Sequence, residues 1–301
     1  MKAEGHMLRK MLVFGITSTF VLAELPALAQ QQSGQQAIEE IEIFANNRRA
    51  EGLTDVNAAV SVINEEELDL IGHSHYQEAL TRVPGFSGNR NNGQESLMAI
   101  RSPVLTGAGA CGAFLIAENG IPVRSAGFCN VNEMFDTHSE YAQSIEVIRG
   151  PASAFWGSNA LHGLVNVRLP NPGEVGELSL ERGPRGSYRT KAAFGTDSGN
   201  FKQSLYLTGV NEEGYRDDSG VDQQKASWLY EYTLGNGVKM EGGFTFNNLN
   251  QETAGYVAGA KAYEDSDKRD TNPNPEAYRD SQSIRVWTRF TMESGEWEIT
   301  A

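Results

Sequence analysis

Five histidines, two cysteines and an excess of carboxylates carry the chemical potential of this 301-residue chain, yet few of them stand at spacings that catalysis or metal binding needs. His73 and His75 straddle a predicted helix start with no third ligand near them, and His138 alone does not complete a zinc site with Cys111 and Cys129. Asp265, Asp267 and Asp270 lack the glycine and terminal glutamate of a calcium loop and read as a solvated acidic face. Gly107-Ala108-Gly109-Ala110-Cys111-Gly112 spells the dinucleotide fingerprint. A phosphate-cradling loop must follow a strand and open a helix, however, and Phe114 to Ala117 after it reads as a strand. A hydrolase needs a nucleophile with a neighbouring base, and neither a G-x-S-x-G elbow nor H-E-x-x-H occurs. These residues point to no enzyme, no metal and no cofactor. A formal charge of -14 also argues against nucleic acid as a partner, because phosphate binding needs clustered Lys and Arg.

The elements around these residues describe an exported protein. Arg9-Lys10, the apolar run Met11 to Ala23 and the small-residue end Ala27-Leu28-Ala29 predict a secretory signal over residues 1–29, with Met7 as an alternative start to Met1. In an exported chain Cys111 and Cys129 become candidates for a disulfide, whose short loop would contribute roughly 3 kcal/mol; free thiols are the alternative. Gln30 to Gln36 is a polar leader, and Glu39 to Ile43 alternates enough for one extended strand without an obvious partner in the chain. Such a strand can add itself to another protein's sheet edge. Ala59 to Asn64 then reads as a strand. Asn64 with Glu67 and Ser74 with Gln77 predict capped helix starts, and Pro84-Gly85 stops the second helix. Asn119-Gly120 predicts a hairpin within Phe114 to Val123. Ser144 to Pro170 reads as strand, punctuated loop, strand, with Gly150 and Gly157 where unusual torsions are needed and Pro151 ending the ladder.

After Pro172 the texture changes. Apolar residues recur at even positions (Ala226, Trp228, Tyr230, Tyr232; Phe244, Phe246; Ile284, Val286, Phe290), while odd neighbours include Glu231, Glu241, Arg285 and Arg289. A period of two over nine or more residues fits a membrane barrel strand with one face in lipid and one in a wet lumen. Turns at Asp197-Ser198-Gly199, Gly235-Asn236-Gly237 and Ser294-Gly295 are tight, whereas the connections from Asn211 to Asp222 and from Leu249 to Asp280 are long and polar. About seven strands fit, fewer than the eight or more that close a barrel. The expectation is an incomplete barrel: an open sheet with an unpaired edge.

Ile145-Glu146-Val147-Ile148-Arg149-Gly150-Pro151, Trp156-Gly157-Ser158-Asn159-Ala160 and Gly163-Leu164-Val165-Asn166-Val167 together resemble the end of the plug domain in TonB-dependent outer-membrane receptors, with His162 in place of the first glycine of a GG pair. Ala99-Ile100-Arg101-Ser102, Gly120-Ile121-Pro122-Val123 and Gly214-Tyr215-Arg216-Asp217 fit other patterns of the family. The resemblance implies an α+β plug domain over 51–172, preceded by a flexible leader over 30–50 and followed by an incomplete antiparallel transmembrane β-barrel over 173–301. It implies that Glu39, Glu40, Ile41, Glu42, Ile43, Phe44 and Ala45 form the segment that docks a TonB-type periplasmic energy-coupling protein, Phe44 standing where threonine is usual. It further implies that Arg101, Arg149, Gly150 and Pro151 seat the plug, the two arginines pairing with wall carboxylates. The implied function is energy-coupled import across the Gram-negative outer membrane of a scarce extracellular ligand, by default a ferric siderophore or similar metal chelate. An outer-membrane enzyme and a passive porin-like channel are the alternatives.

Overall fold

The computed structural model describes residues 42–45, 51–90, 93–101, 114–124, 133–235, 237–295 and 297–301, all within one compact unit, Glu40–Ala301. The signal segment, Glu39 to Ile41, the glycine-rich stretch 107–112, Cys111 and Cys129 lie outside the described residues.

Two short strands, β1 (Glu42–Ile43) and β2 (Glu51–Gly52), pair antiparallel at the start. The lone segment read from the sequence therefore has a partner in its own chain. β3 (Val60–Asn64) leads into α1 (Glu65–Ile71), where Asn64 Oδ1 accepts the Glu67 amide at 2.9 Å as expected of a cap. The next helix, α2 (Tyr76–Leu80), corrects the expectation by one residue: its cap is His75, not Ser74. His75 Nδ1 accepts the Gln77 amide at 3.1 Å, while Ser74 N donates to Glu78 Oε2 at 3.0 Å. Burial holds the His75 imidazole down to about 3, so it stays neutral and keeps a lone pair for the cap.

β4 (Phe86–Arg90) and β5 (Ser96–Ile100) form a separate ribbon. β6 (Phe114–Glu118) and β7 (Ile121–Pro122) make the foreseen hairpin, with Asn119 and Gly120 both at positive φ. β8 (Ser144–Arg149), a single turn α3 (Ser153–Trp156) and β9 (Gly163–Arg168) follow. The central sheet has the order β3-β8-β9-β6-β7, with β6 and β9 parallel. Its apolar core joins Ile63, Leu80, Ile116, Ile145, Val147 and Val165 to residues of both helices. The close backbone approach falls at Gly163, where a Cβ would lie 2.4 Å from the Ile148 carbonyl oxygen.

β10 (Val175–Arg182), β11 (Tyr188–Asp197), β12 (Phe201–Glu212), β13 (Val221–Gly235), β14 (Val238–Glu252), β15 (Tyr278–Ser294) and β16 (Trp297–Thr300) form one seven-stranded antiparallel sheet in sequence order, open at both edges. Its register aligns the alternation across strands: Leu207, Ala226, Phe246 and Ile284 stand side by side on one face, and Leu205, Trp228, Phe244 and Val286 form the next row. That face is bare, with Leu178 86 % and Val286 73 % exposed, whereas Ser204, Ser227, Thr245 and Asn247 on the other face are buried. The chain turns tightly at 198–200 and 235–237 at one end of the sheet and runs through 213–220 and 253–277 at the other. Polar residues are buried only because the domain formed by residues 53–170 covers that face. The apolar band on the opposite face is left for a non-aqueous solvent.

Candidate functional site

The inward wall positions are polar and meet one segment of the covering domain. Residues 133–141 pass through two single turns, Glu133–Asp136 and Ser139–Tyr141, and bury Asp136, Thr137 and His138 completely. Buried polar atoms must find partners, and here most come from the wall. Lys225 Nζ on β13 donates to both Glu140 carboxylate oxygens, at 2.9 and 3.0 Å, and to the Thr137 carbonyl at 2.8 Å. Arg285 on β15 donates to Glu118 Oε1 at 2.8 Å and to the Asp136 carbonyl at 3.0 Å. Thr245 also donates to Glu118, and Asn247 and Ser283 donate to Asp136 Oδ1 at 2.9 Å each. The His138 ring lies between Ser227 Oγ and Thr208 Oγ1, each at 2.8 Å.

Electrostatics follow from this burial. Burial lowers the His138 pKa to about 4, with Glu140 opposing and Lys225 adding to the shift, so the ring is neutral near pH 7 and each nitrogen serves a hydroxyl. Burial alone would raise Glu140, but Lys225 and then His138 overcome it and hold the carboxyl at about 2. Glu118 is likewise lowered: its burial is outweighed by Arg285 and by the His138 amide. The seam is therefore a charged interface in which buried ion pairs and hydrogen bonds join the covering domain to the wall, so removing one partner of a pair leaves the other buried and uncompensated.

The described part of the segment that the resemblance assigns to partner docking, Glu42 to Ala45, lies toward the tight-turn end of the wall, near Arg289 of β15. Ile43 and Ala45 are fully buried. The Phe44 amide donates to Glu146 Oε1 at 3.0 Å, and Trp156 Nε1 donates to the Ala45 carbonyl at 2.7 Å. The Phe44 ring lies between two guanidiniums, with Arg168 Cζ 5.7 Å and Arg289 Cζ 5.3 Å from its centroid. Arg168 belongs to β9 and Arg289 to the wall strand β15, so the ring bridges the two. Gly120 leaves room for it: a Cβ there would lie 2.7 Å from the ring edge. Glu146 is buried and its pKa is raised by that burial, against hydrogen bonds from Asn166 and the Phe44 amide. Asn166 Nδ2 donates to Glu146 Oε2 at 3.0 Å while its Oδ1 accepts the Gly120 amide at 3.0 Å, so one network ties the segment to the β6-β7 turn.

The arginines expected to seat the plug sit differently. Arg149 donates to the Pro84 carbonyl at 3.1 Å and to the Val60 carbonyl at 3.5 Å, both within its own domain. Arg101 holds a φ of 48° and its amide bonds the Gly85 carbonyl at 3.0 Å. Among the described residues neither pairs with a carboxylate of the seven wall strands, and the seam's polarity is the reverse: cations on the wall (Lys225, Arg285), carboxylates on the plug (Glu140, Glu118). Gly150 holds φ 139° where Pro151 ends the ladder. Sequence reasoning passed over Glu118, Asp136 and Glu140 and gave Glu146 only its place in the motif; the visible signal at Glu118 and Glu146 is a carboxylate inside an otherwise apolar strand, whereas Asp136 and Glu140 lie in single turns that carry no such signal. No group of three His, Cys, Asp or Glu suited to a metal occurs among the described residues.

Residues 53–164 match the family model described as the TonB-dependent Receptor Plug Domain. The vitamin B12 transporter BtuB of Photobacterium profundum is 28% identical over 173 residues, covering 56% of this chain and 27% of that protein. The chain thus spans about a quarter of this curated relative. Among solved structures, a ferric-pyoverdine complex of FpvA from P. aeruginosa superposes with a TM-score of 0.68 at 13% identity, covering 85% of this chain and 34% of that one. The ferric yersiniabactin uptake receptor FyuA of Yersinia pestis gives a TM-score of 0.62 at 17% identity over 81% of this chain and 40% of that one.

Proposed function

Since residues 53–164 are a TonB-dependent receptor plug domain and barrel-forming strands follow it, we propose that this protein acts as an energy-coupled receptor of the Gram-negative outer membrane. It imports a scarce extracellular ligand, by default a ferric siderophore or similar metal chelate, the class named for FpvA and FyuA. The corrinoid named for BtuB is the other metal chelate in view. The wall stands in the lipid with its apolar rows outward, and the plug occludes the lumen until it is moved. No bond of the ligand is made or broken.

The observation that carries this reading is the docked state of Glu42 to Ala45. The segment pairs Glu42 and Ile43 with β2, buries Ile43 and Ala45, and beyond that pairing is held by the Phe44 amide, the Ala45 carbonyl and the Phe44 ring, all against plug or wall groups. A periplasmic TonB-type protein that takes Glu39 to Ala45 as an added strand would break those few contacts and pull on β8 and β9 directly. Arg101, Arg149, Gly150 and Pro151 then act within the plug, Arg149 tying β8 to the Pro84 turn, so that the pulled element moves as a unit. Deleting Glu39 to Ala45 from the receptor tests the reading: energised uptake should be abolished while ligand binding at the cell surface is kept, and retained uptake would contradict it.

A further inference from the structure

The outward face of the wall changes character at its long-loop end. Beyond the apolar row Leu207, Ala226, Phe246 and Ile284, the next row holds Gly209, Gln224, Asn248 and Gln282, and the one after it Asn211, Asp222, Asn250 and Asp280. At about 3.4 Å per residue and a strand tilt of about 40°, these two rows stand roughly 5 and 10 Å beyond the apolar edge, at the depth of lipid headgroups rather than of acyl chains. The long-loop end of an outer-membrane barrel faces the cell's surroundings.

The first polar row is built as a ladder. Gln282 Nε2 donates to Asn248 Oδ1 at 2.9 Å, Asn248 Nδ2 to Gln224 Oε1 at 2.7 Å, and Gln224 Nε2 to Asp222 Oδ1 at 2.6 Å. Each amide nitrogen carries two N–H groups and spends one of them in the ladder, so every rung keeps a donor for an outside partner, and Gln282 keeps its oxygen as an acceptor. Above the ladder a cleft of about 360 Å³ is lined by Asn211, Asp222, Asn250, Glu252, Tyr278 and Asp280 among others. Tyr278 is 71 % exposed and pairs across the strands with Glu252. Carboxylates recur on this lining and no lysine or arginine stands on it, so a phosphate would meet only like charge there. A saccharide fits the same groups: its hydroxyls donate to amide and carboxylate oxygens and accept from the spare amide N–H groups, while the C–H face of a sugar ring lies on the negative face of an aromatic ring.

We propose that this strip, the ladder of Gln224, Asn248 and Gln282 with Tyr278 above it, docks the uncharged saccharide headgroup of a glycolipid in the outer leaflet. The apolar rows continue the same face directly below it and take the acyl chains, which selects a lipid over a free sugar. The strip lies on the outside of the wall, away from the plug, and rests on the receptor reading only in that the wall stands in a membrane.

Native mass spectrometry of the full chain in detergent micelles tests it, with digalactosyl diacylglycerol, phosphatidylglycerol of the same acyl chains and free digalactose as probes. The galactolipid should be held about tenfold more tightly than phosphatidylglycerol. That preference should fall to near parity in Tyr278→Ala and in a double variant carrying Asn248→Ala and Gln282→Ala, with far-ultraviolet spectra and thermal midpoints matching wild type. Tyr278→Phe keeps the ring face and should keep the preference, and Ile284→Ala in the apolar row should weaken both lipids alike. Equal retention of the two lipids, tighter binding of phosphatidylglycerol, or a preference that survives both the Tyr278→Ala and the ladder variants overturns the inference. Free digalactose competing as well as the galactolipid also overturns it, since the strip would then hold a soluble sugar. Deleting Glu39 to Ala45 should leave the preference unchanged, so uptake that survives the deletion would sink the receptor reading and leave the glycolipid strip standing.

Discussion

Replacing Lys225 by Met tests whether the seam is held by its charges. The lysine makes three hydrogen bonds, to both Glu140 oxygens and to the Thr137 carbonyl. Both side chains are nearly inaccessible, 4 % and 5 % exposed. Methionine fills the same volume but leaves the Glu140 carboxylate buried with no cation, which costs roughly 3–5 kcal/mol. The proton linkage gives a similar figure. Glu140 stands at about 2 in the folded protein, burial raising it and Lys225 more than reversing that, against an ordinary value of 4.5. A depressed carboxyl stabilises the seated plug fully above its ordinary value, and that contribution is lost as pH falls from about 4.5 toward 2; it amounts to ~3 kcal/mol. Hydrogen exchange of residues 133–142 in the detergent-solubilised protein reads the opening of the seam directly. Lys225→Met should speed exchange there by roughly a hundredfold or more, and adding Glu140→Gln should restore most of the protection. Exchange within tenfold of wild type, or a double variant no better than the single, would refute the reasoning.

Other outcomes follow from the same geometry. Gly163→Ala places a methyl 2.4 Å from the Ile148 carbonyl oxygen and should lower the urea midpoint of the plug, a loss of about 1–3 kcal/mol. Val286→Arg puts a charge on the bare face of β15, and in a liposome-folding assay should cost about 2–4 kcal/mol if that residue lies near the bilayer midplane. Phe44→Ala removes the ring between Arg168 and Arg289; with each cation–π contact worth about 0.5–1 kcal/mol at a partly exposed site, a spin label at residue 42 should become measurably more mobile.

Much of the architecture was legible in the sequence because it is written at short range. Alternation along β13, β14 and β15 fixes which side chains share a face, and the register then stacks them into rows without further information. The positive φ angles of Asn119-Gly120 that turn the β6-β7 hairpin, and the Asn64 cap on the Glu67 amide, are local to their own few residues. What escaped is set by partners far along the chain. Glu42 and Ile43 looked alone because their partner β2 is only two residues long, and the groups that hold Phe44 and Ala45, Glu146 and Trp156, lie more than a hundred residues away. His75 rather than Ser74 caps α2 because its buried ring places Nδ1 against the Gln77 amide, a position set by tertiary packing rather than by the local pattern. The seam's carboxylates were invisible for the same reason: Glu118 and Glu140 become reasonable core residues only once Arg285 and Lys225 arrive from strands that follow much later. The plug arginines illustrate the converse, since a motif identifies Arg149 but its partners are carbonyls of Val60 and Pro84 that no motif specifies.

The central claim is that one face of the seven-stranded sheet meets lipid while the other encloses the plug. Single cysteines placed along β15 in a cysteine-free variant of the protein, in native outer membranes, test it most directly. Positions 284, 286 and 290 should react with a lipid-soluble maleimide and resist a charged one, whereas 283 and 285 should resist both while the plug is seated. Free reaction of 284, 286 and 290 with the charged reagent would contradict the account.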